Sequence, residues 1–153
     1  MSINLLALQY GLLIINMELY RLHSNYKVDV KITKYLINWY KSPSKEQQIL
    51  QDFLFPFWKN KIVLAEFKIP GSKLRTDILN ITDKIHIEYS PDSTHDFSEY
   101  FHKHRLIFIR RNKNDINKME WAIKNGFKSI EIGQSDLKQL SRRFFWDNFN
   151  ILL

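Results

Sequence analysis

Residues 62–89 constrain the fold more than any other stretch of the chain. Three runs of β-forming residues, 62–69, 74–79 and 84–89, are separated by Pro70-Gly71-Ser72 and by Asn80-Ile81-Thr82-Asp83. Turn residues at such short spacing join neighbouring strands, so the runs read as a three-stranded meander. Before it, Ser42-Pro43-Ser44 breaks the chain, and Ser44-Lys45-Glu46-Gln47 has the spacing of a capping box. The helix opened there carries Ile49, Leu50, Phe53 and Leu54 on one face and is expected to end at Pro56.

Beyond the meander, residues 90–98 are polar and read as a loop. A helix is expected over 105–125, with Ile116, Met119 and Ile123 at helical spacing and Asn125-Gly126 as its stop. A last strand over 128–132 and a closing helix over 135–145, capped by Ser135, complete the chain. Upstream, residues 26–32 alternate between apolar and polar, as a strand does. Residues 34–40 suit a short helix, and residues 4–20 fit either helix or strand. From residue 42 on, the order is helix, three strands, helix, strand, helix. It implies an α/β (α+β) domain with a mixed central β-sheet flanked by helices. Residues 1–41 are read as an N-terminal extension packed on a 42–153 core and used for oligomerisation or DNA contact.

Composition narrows the chemistry. With 44% hydrophobic and 14% aromatic residues, a chain of 153 can bury a proper core. The absence of Cys removes disulfides, thiol nucleophiles and Cys-ligated zinc. A net charge of +7 favours a polyanionic partner, because Lys and Arg gain by displacing counterions from phosphates. The apolar run 5–15 has no basic residue before it, no cleavage site after it, and too little length to span a bilayer. It is read as a buried element of a cytoplasmic protein without membrane contact. Met17 could serve as an alternative start, which would make residues 1–16 dispensable.

Three carboxylates stand out by position. Glu46 lies in the first turn of the helix before the meander, Asp77 within the second strand, and Glu88 near the end of the third. Alternation puts His86, Glu88 and Ser90 on one face. Acids on adjacent strands repel unless a cation compensates, and Mg²⁺ suits one or two carboxylates plus a substrate phosphate. The plainer reading is edge acids facing water or pairing with Arg75 or Lys84. His23 and His86 carry no partner pattern, and His95, His102 and His104 lack a fourth ligand for zinc.

Taken in order, Glu46, Arg75-Thr76-Asp77, Ile87-Glu88-Tyr89, His95, Phe101-His102, the Arg110–Asp115 run and Ser129-Ile130-Glu131-Ile132 resemble one superfamily. It is the PD-(D/E)XK nucleases, and within it the branch of very-short-patch-repair-like and phage or intron-encoded homing endonucleases. The resemblance covers roughly residues 42 to 133. It implies a restriction-endonuclease-like core and a Mg²⁺-dependent endodeoxyribonuclease, with Mn²⁺ able to substitute. Glu46, Asp77, Glu88 and His95 would be catalytic, with Asp77, Glu88 and Glu46 on the metal and His95 as general acid or base. Arg75, Lys103, Arg110, Arg111 and Lys113 would contact DNA, with Lys138, Arg142 and Arg143 as further candidates. Double-stranded DNA and a homodimer or homotetramer are the implied partners, since two active sites can address two strands. A site-specific homing enzyme is the leading expectation. The alternatives are a structural or partner-binding phage protein whose basic charge is incidental, a repair-type nicking enzyme, and a nucleic-acid-binding relative with weakened catalysis. Two departures favour the last: Ser90 stands where the superfamily usually has Lys, and Asn112 where the branch has Asp.

Overall fold

The computed structural model describes residues 15–91 and 113–153. Strands β1 (Asn16–Tyr20) and β2 (Lys27–Lys31) form an antiparallel pair in the register Asn16↔Lys31 to Tyr20↔Lys27. The part of residues 4–20 that is described is therefore strand. In β2, Val28 and Val30 are half-buried while Lys27, Asp29 and Lys31 face solvent, as the alternation requires.

The helix expected over 34–40 is only a 3-10 turn at Thr33–Tyr35. The chain then extends, because Leu36 bridges to Leu64 and the Ile37 N–H donates to the Val63 carbonyl at 2.9 Å. Hydrogen bonds to a neighbouring strand outcompete the weak intrinsic preference of so short a segment.

Helix α1 (Lys45–Trp58) begins where the sequence signals it. Ser44 is extended, and its Oγ accepts from the Gln47 N–H at 3.1 Å. It does not stop at Pro56. Pro56 and Asp52, whose carbonyl loses its partner, are both exposed, so water can satisfy that group. The buried Trp58 and the Lys59 N–H, which donates to the Phe55 carbonyl, hold the last turn.

The central sheet has the order β3-β4-β5-β6, formed by Val63–Lys68, Arg75–Asn80, Ile85–Ser90 and Lys128–Gly133. The first three strands run antiparallel as a meander, and β6 joins β5 in parallel. A parallel neighbour needs a crossover, and the helix over 113–124 (α2) lies within it. The mixed sheet is thus as expected. At the end of α2, Gly126 takes φ +83, the Phe127 N–H donates to the Ala122 carbonyl and the Gly126 N–H to that of Ile123. This is a Schellman stop.

The closing helix expected over 135–145 is split. Ser135–Lys138 is a 3-10 turn, tied to β6 by Asp136, whose Oδ2 accepts from the Gly133 N–H at 2.8 Å. Ser141 then caps helix α3 (Arg142–Phe149), accepting from the Phe144 N–H at 3.0 Å. Burial of Phe145 and Ile151 sets where this helix sits.

Apolar side chains divide between the two faces of the sheet. On one, Val63, Ile78, Ile87 and Ile130 pack with Leu50, Leu54 and Trp58 of α1 and Phe145 of α3. On the other, Leu64, Phe67 and Leu79 pack with Trp121 and Ala122 of α2 and with Leu19 and Ile32 of the 15–41 segment. Leu64 and Phe67 are an odd number of residues apart yet share a face. Glu66 between them has φ 51, which breaks the alternation of the strand. Among the described residues, no helix is long and apolar enough to cross a membrane.

Candidate active site

The second face of the sheet is not apolar throughout. Asp77 lies on the same side of β4 as Leu79, and the register Leu79↔His86 carries that side to His86 and Glu88 in β5. The parallel register His86↔Ser129 extends it to β6. Helix α2 covers this surface with Lys118, Trp121, Ala122 and Asn125, spaced i, i+3, i+4 and i+7. The stripe singled out from sequence, Ile116, Met119 and Ile123, faces solvent instead. Trp121 decides the orientation: its indole N–H donates to the Tyr20 carbonyl at 2.7 Å, and its ring packs on Phe67 and Phe127.

Asp77 and Glu88 meet where β4 and β5 part. The ladder pairs are Ile78↔Ile87, Leu79↔His86 and Asn80↔Ile85. One step further the acceptors are carboxylates: the Asp77 N–H donates to Glu88 Oε2 at 2.7 Å, and the Tyr89 N–H to Asp77 Oδ2 at 2.8 Å. Lys118 Nζ donates to Glu88 Oε1 at 2.6 Å, and His86 Nε2 lies 3.1 Å from Oε2. His86 Nδ1 is 2.8 Å from Ser129 Oγ. An ionised carboxylate only accepts, so His86 carries a proton on Nε2, and in the neutral ring Nδ1 accepts from the Ser129 hydroxyl.

These contacts separate the two acids. Burial raises the Glu88 carboxyl, but the His86 hydrogen bond and the Lys118 charge outweigh it and hold Glu88 below the usual carboxylate range. Asp77 is pushed up to about 7, by burial first and then by the negative charge of Glu88, against the Tyr89 N–H and Lys118. Lys118 is raised: burial opposes its charge, and Glu88 more than compensates. Glu66 of β3 is raised by burial and by Glu88, opposed by Lys118 and Arg75. The result is an ionised carboxylate paired with an ammonium, beside a second carboxyl poised to exchange its proton near neutrality.

Of the expected residues, Asp77 and Glu88 are brought together. Glu46 lies in the first turn of α1, whose buried face packs on the opposite side of the sheet. Among the described residues, no hydrogen bond or ion pair joins it to the other two. Arg75 is exposed and donates from a guanidinium nitrogen to the Glu66 carbonyl at 3.0 Å. Lys113 is exposed on α2. His95, Lys103, Arg110 and Arg111 lie outside the described residues, as does Asn112.

Sequence reasoning missed Lys118, His86, Ser129 and Glu66. His86 has the partners that its sequence surroundings do not display. The signal for it was the alternation that puts it on the face of Glu88. The signal for Lys118 was the helical spacing it shares with Trp121 and Ala122. Among the described residues, no group of three or more His, Asp or Glu side chains is disposed to hold a metal ion. Comparison with family models, with curated proteins and with solved structures finds no match.

Proposed function

We propose that the chain is a metal-dependent endodeoxyribonuclease. The observation that carries this reading is the Asp77–Glu88 pair at the parting of two strands, with Lys118 on Glu88 and Asp77 held near 7. Excess negative charge that burial disfavours is relieved by a proton or by a cation. The pair fits Mg²⁺, which takes one or two protein carboxylates and completes its shell with water and substrate phosphate. Asp77 would hold it, with Glu88 as second ligand once Lys118 gives up Oε1. The ion would supply charge neutralisation at the phosphodiester. Lys118 brings to the site the positive charge that Ser90 cannot, so the departure at Ser90 is offset from a different element. Binding the ion would hold Asp77 ionised, in place of the proton that its carboxyl otherwise keeps up to near neutrality.

The same proposal includes duplex DNA as substrate, assembly of two or more copies to address both strands, and work in the cytoplasm of a bacterial or phage-infected cell. The basic balance of the chain supports the first. Site-specific cleavage of the homing type is its finest form.

One observation favours a second reading, a nucleic-acid-binding protein without catalysis. Both Glu88 oxygens are already occupied within the chain, by Lys118 on one side and by His86 and the Asp77 N–H on the other. A network so well satisfied can be purely structural.

The test is cleavage of supercoiled plasmid with Mg²⁺, with EDTA, and with Asp77→Ala beside wild type. Metal-dependent nicking that the substitution abolishes is the expected result. Duplex binding without cleavage, under Mg²⁺ or Mn²⁺ and over a broad substrate set, would install the second reading.

A further inference from the structure

The turn between β3 and β4 carries a cluster of cations beside the acid pair. Lys68 and Arg75 are Cα partners in the ladder, so two like charges stand directly opposite one another. That arrangement is unfavourable in a sheet unless something anionic shares it. Lys73 follows in the turn, and Lys68, Lys73 and Arg75 are all exposed. None of the three forms an ion pair with a carboxylate among the described residues.

The turn is built to be rigid. The Ile69 N–H donates to the Leu74 carbonyl at 2.9 Å, Ser72 Oγ donates to the Ile69 carbonyl at 3.0 Å, and the Leu74 N–H donates to Ser72 Oγ at 3.1 Å. Gly71 takes φ +80, and a Cβ there would stand 3.1 Å from Arg21 Nε and 3.2 Å from Arg21 Cβ. The Leu22 N–H donates to the Pro70 carbonyl at 2.8 Å, which fastens the tip to the segment after β1. That contact brings an exposed fourth cation, Arg21, to the tip. A solvated lysine needs no such support; a surface that positions phosphates does.

Register gives the direction. Counting inward from Arg75, the next residue on the same side of β4 is Asp77, about 7 Å along the strand. Across the ladder Lys68 stands opposite Arg75, and the Arg75 guanidinium reaches inward to the Glu66 carbonyl at 3.0 Å. The cations therefore sit at the outer end of the hairpin and the carboxylates one step inward.

We infer that the β3–β4 hairpin, through Lys68, Lys73 and Arg75 with Arg21 behind them, grips the phosphate backbone of duplex DNA and sets the strand across Asp77. The inference rests on the nuclease reading for its substrate, but it concerns binding and is tested without catalysis.

The experiment measures binding of a fluorescein-labelled random-sequence DNA duplex by anisotropy, in EDTA, across a salt series. It compares wild type, the triple variant Lys68→Gln/Lys73→Gln/Arg75→Gln, and a charge-matched control, Lys45→Gln/Lys59→Gln/Lys128→Gln. Each phosphate contact contributes about 0.9 to the slope of log K against log salt, so the hairpin variant should lose about 3 from that slope. The control should lose less than half as much. Circular dichroism melting checks that both variants fold. A hairpin variant that keeps the wild-type slope, or a control that loses as much, overturns the inference. The nuclease reading survives that result if wild type still cleaves with Mg²⁺. Wild type that fails to bind duplex at any salt overturns both.

Discussion

Replacing Asp77 by Asn should stabilise the protein at alkaline pH. The Asp77 carboxyl ordinarily titrates at 3.8 and is held at about 7 in the folded chain by burial and by Glu88. An acid whose folded pKa is raised contributes stability at low pH and loses it as pH climbs from the unfolded value through the folded one. Near pH 5 the unfolded chain has released this proton and the folded chain has not. By pH 8 both have, and the folded state carries the full cost. At 1.36 kcal/mol per pKa unit, the rise corresponds to about 4 kcal/mol, more than half of which accrues between pH 5 and pH 8. Movement of Lys118 toward the new charge offsets part of that, which leaves about 1–2 kcal/mol. Asn has the shape of Asp and keeps an oxygen for the Tyr89 N–H, but it cannot ionise. Urea unfolding of wild type and Asp77→Asn in EDTA should therefore show a gap that favours the variant and widens by about 1–2 kcal/mol from pH 5 to pH 8. On typical urea slopes this is about 0.5 M or more in midpoint. A gap that stays flat, or a variant less stable than wild type at pH 8, would refute the account of Asp77 as a charge held against its preference. Under the nuclease reading the stabilised variant is also inactive, which is the trade expected of a strained functional group.

Lys118→Met keeps the stem and removes the ammonium from a pair whose side chains are only 16% and 11% exposed. It should cost about 2–3 kcal/mol at pH 7. Glu88 is held low in the folded chain, so its contribution is present above its ordinary range and is lost as pH falls. The deficit of the variant should therefore shrink below pH 5 in denaturant titrations, and a pH-independent deficit would point to packing alone. Glu66→Gly relieves a non-glycine residue at φ 51 and removes one acid that raises Asp77. It should gain about 0.5–1 kcal/mol in thermal unfolding, whereas a loss would mean that the Glu66 side chain contributes contacts outweighing that strain.

Local chemistry wrote much of the fold into the sequence. The meander follows from short turns between β-formers, the start of α1 from the Ser44 hydroxyl, and the end of α2 from a glycine able to adopt positive φ. Each depends on residues a few positions apart, which interact whatever the rest of the chain does. The acid pair was legible for the same reason, because strand alternation fixes which side of β4 and β5 Asp77 and Glu88 take. Where sequence reasoning failed, a distant contact overrode a local preference. Residues 34–40 extend because β3 offers them hydrogen bonds, α1 passes Pro56 because Trp58 is anchored in the core, and the closing segment divides where Asp136 ties it to β6. Helix α2 turns Ile116, Met119 and Ile123 outward because Trp121 finds Tyr20, Phe67 and Phe127. The electrostatics of the site belong to this second group. Lys118 is 30 residues from Glu88 in the chain and Ser129 is 43 from His86, so only the packing of α2 and the parallel pairing of β6 bring them within hydrogen-bonding distance. A pKa depends on burial and on charges a few ångströms away, and neither exists until the tertiary structure has formed.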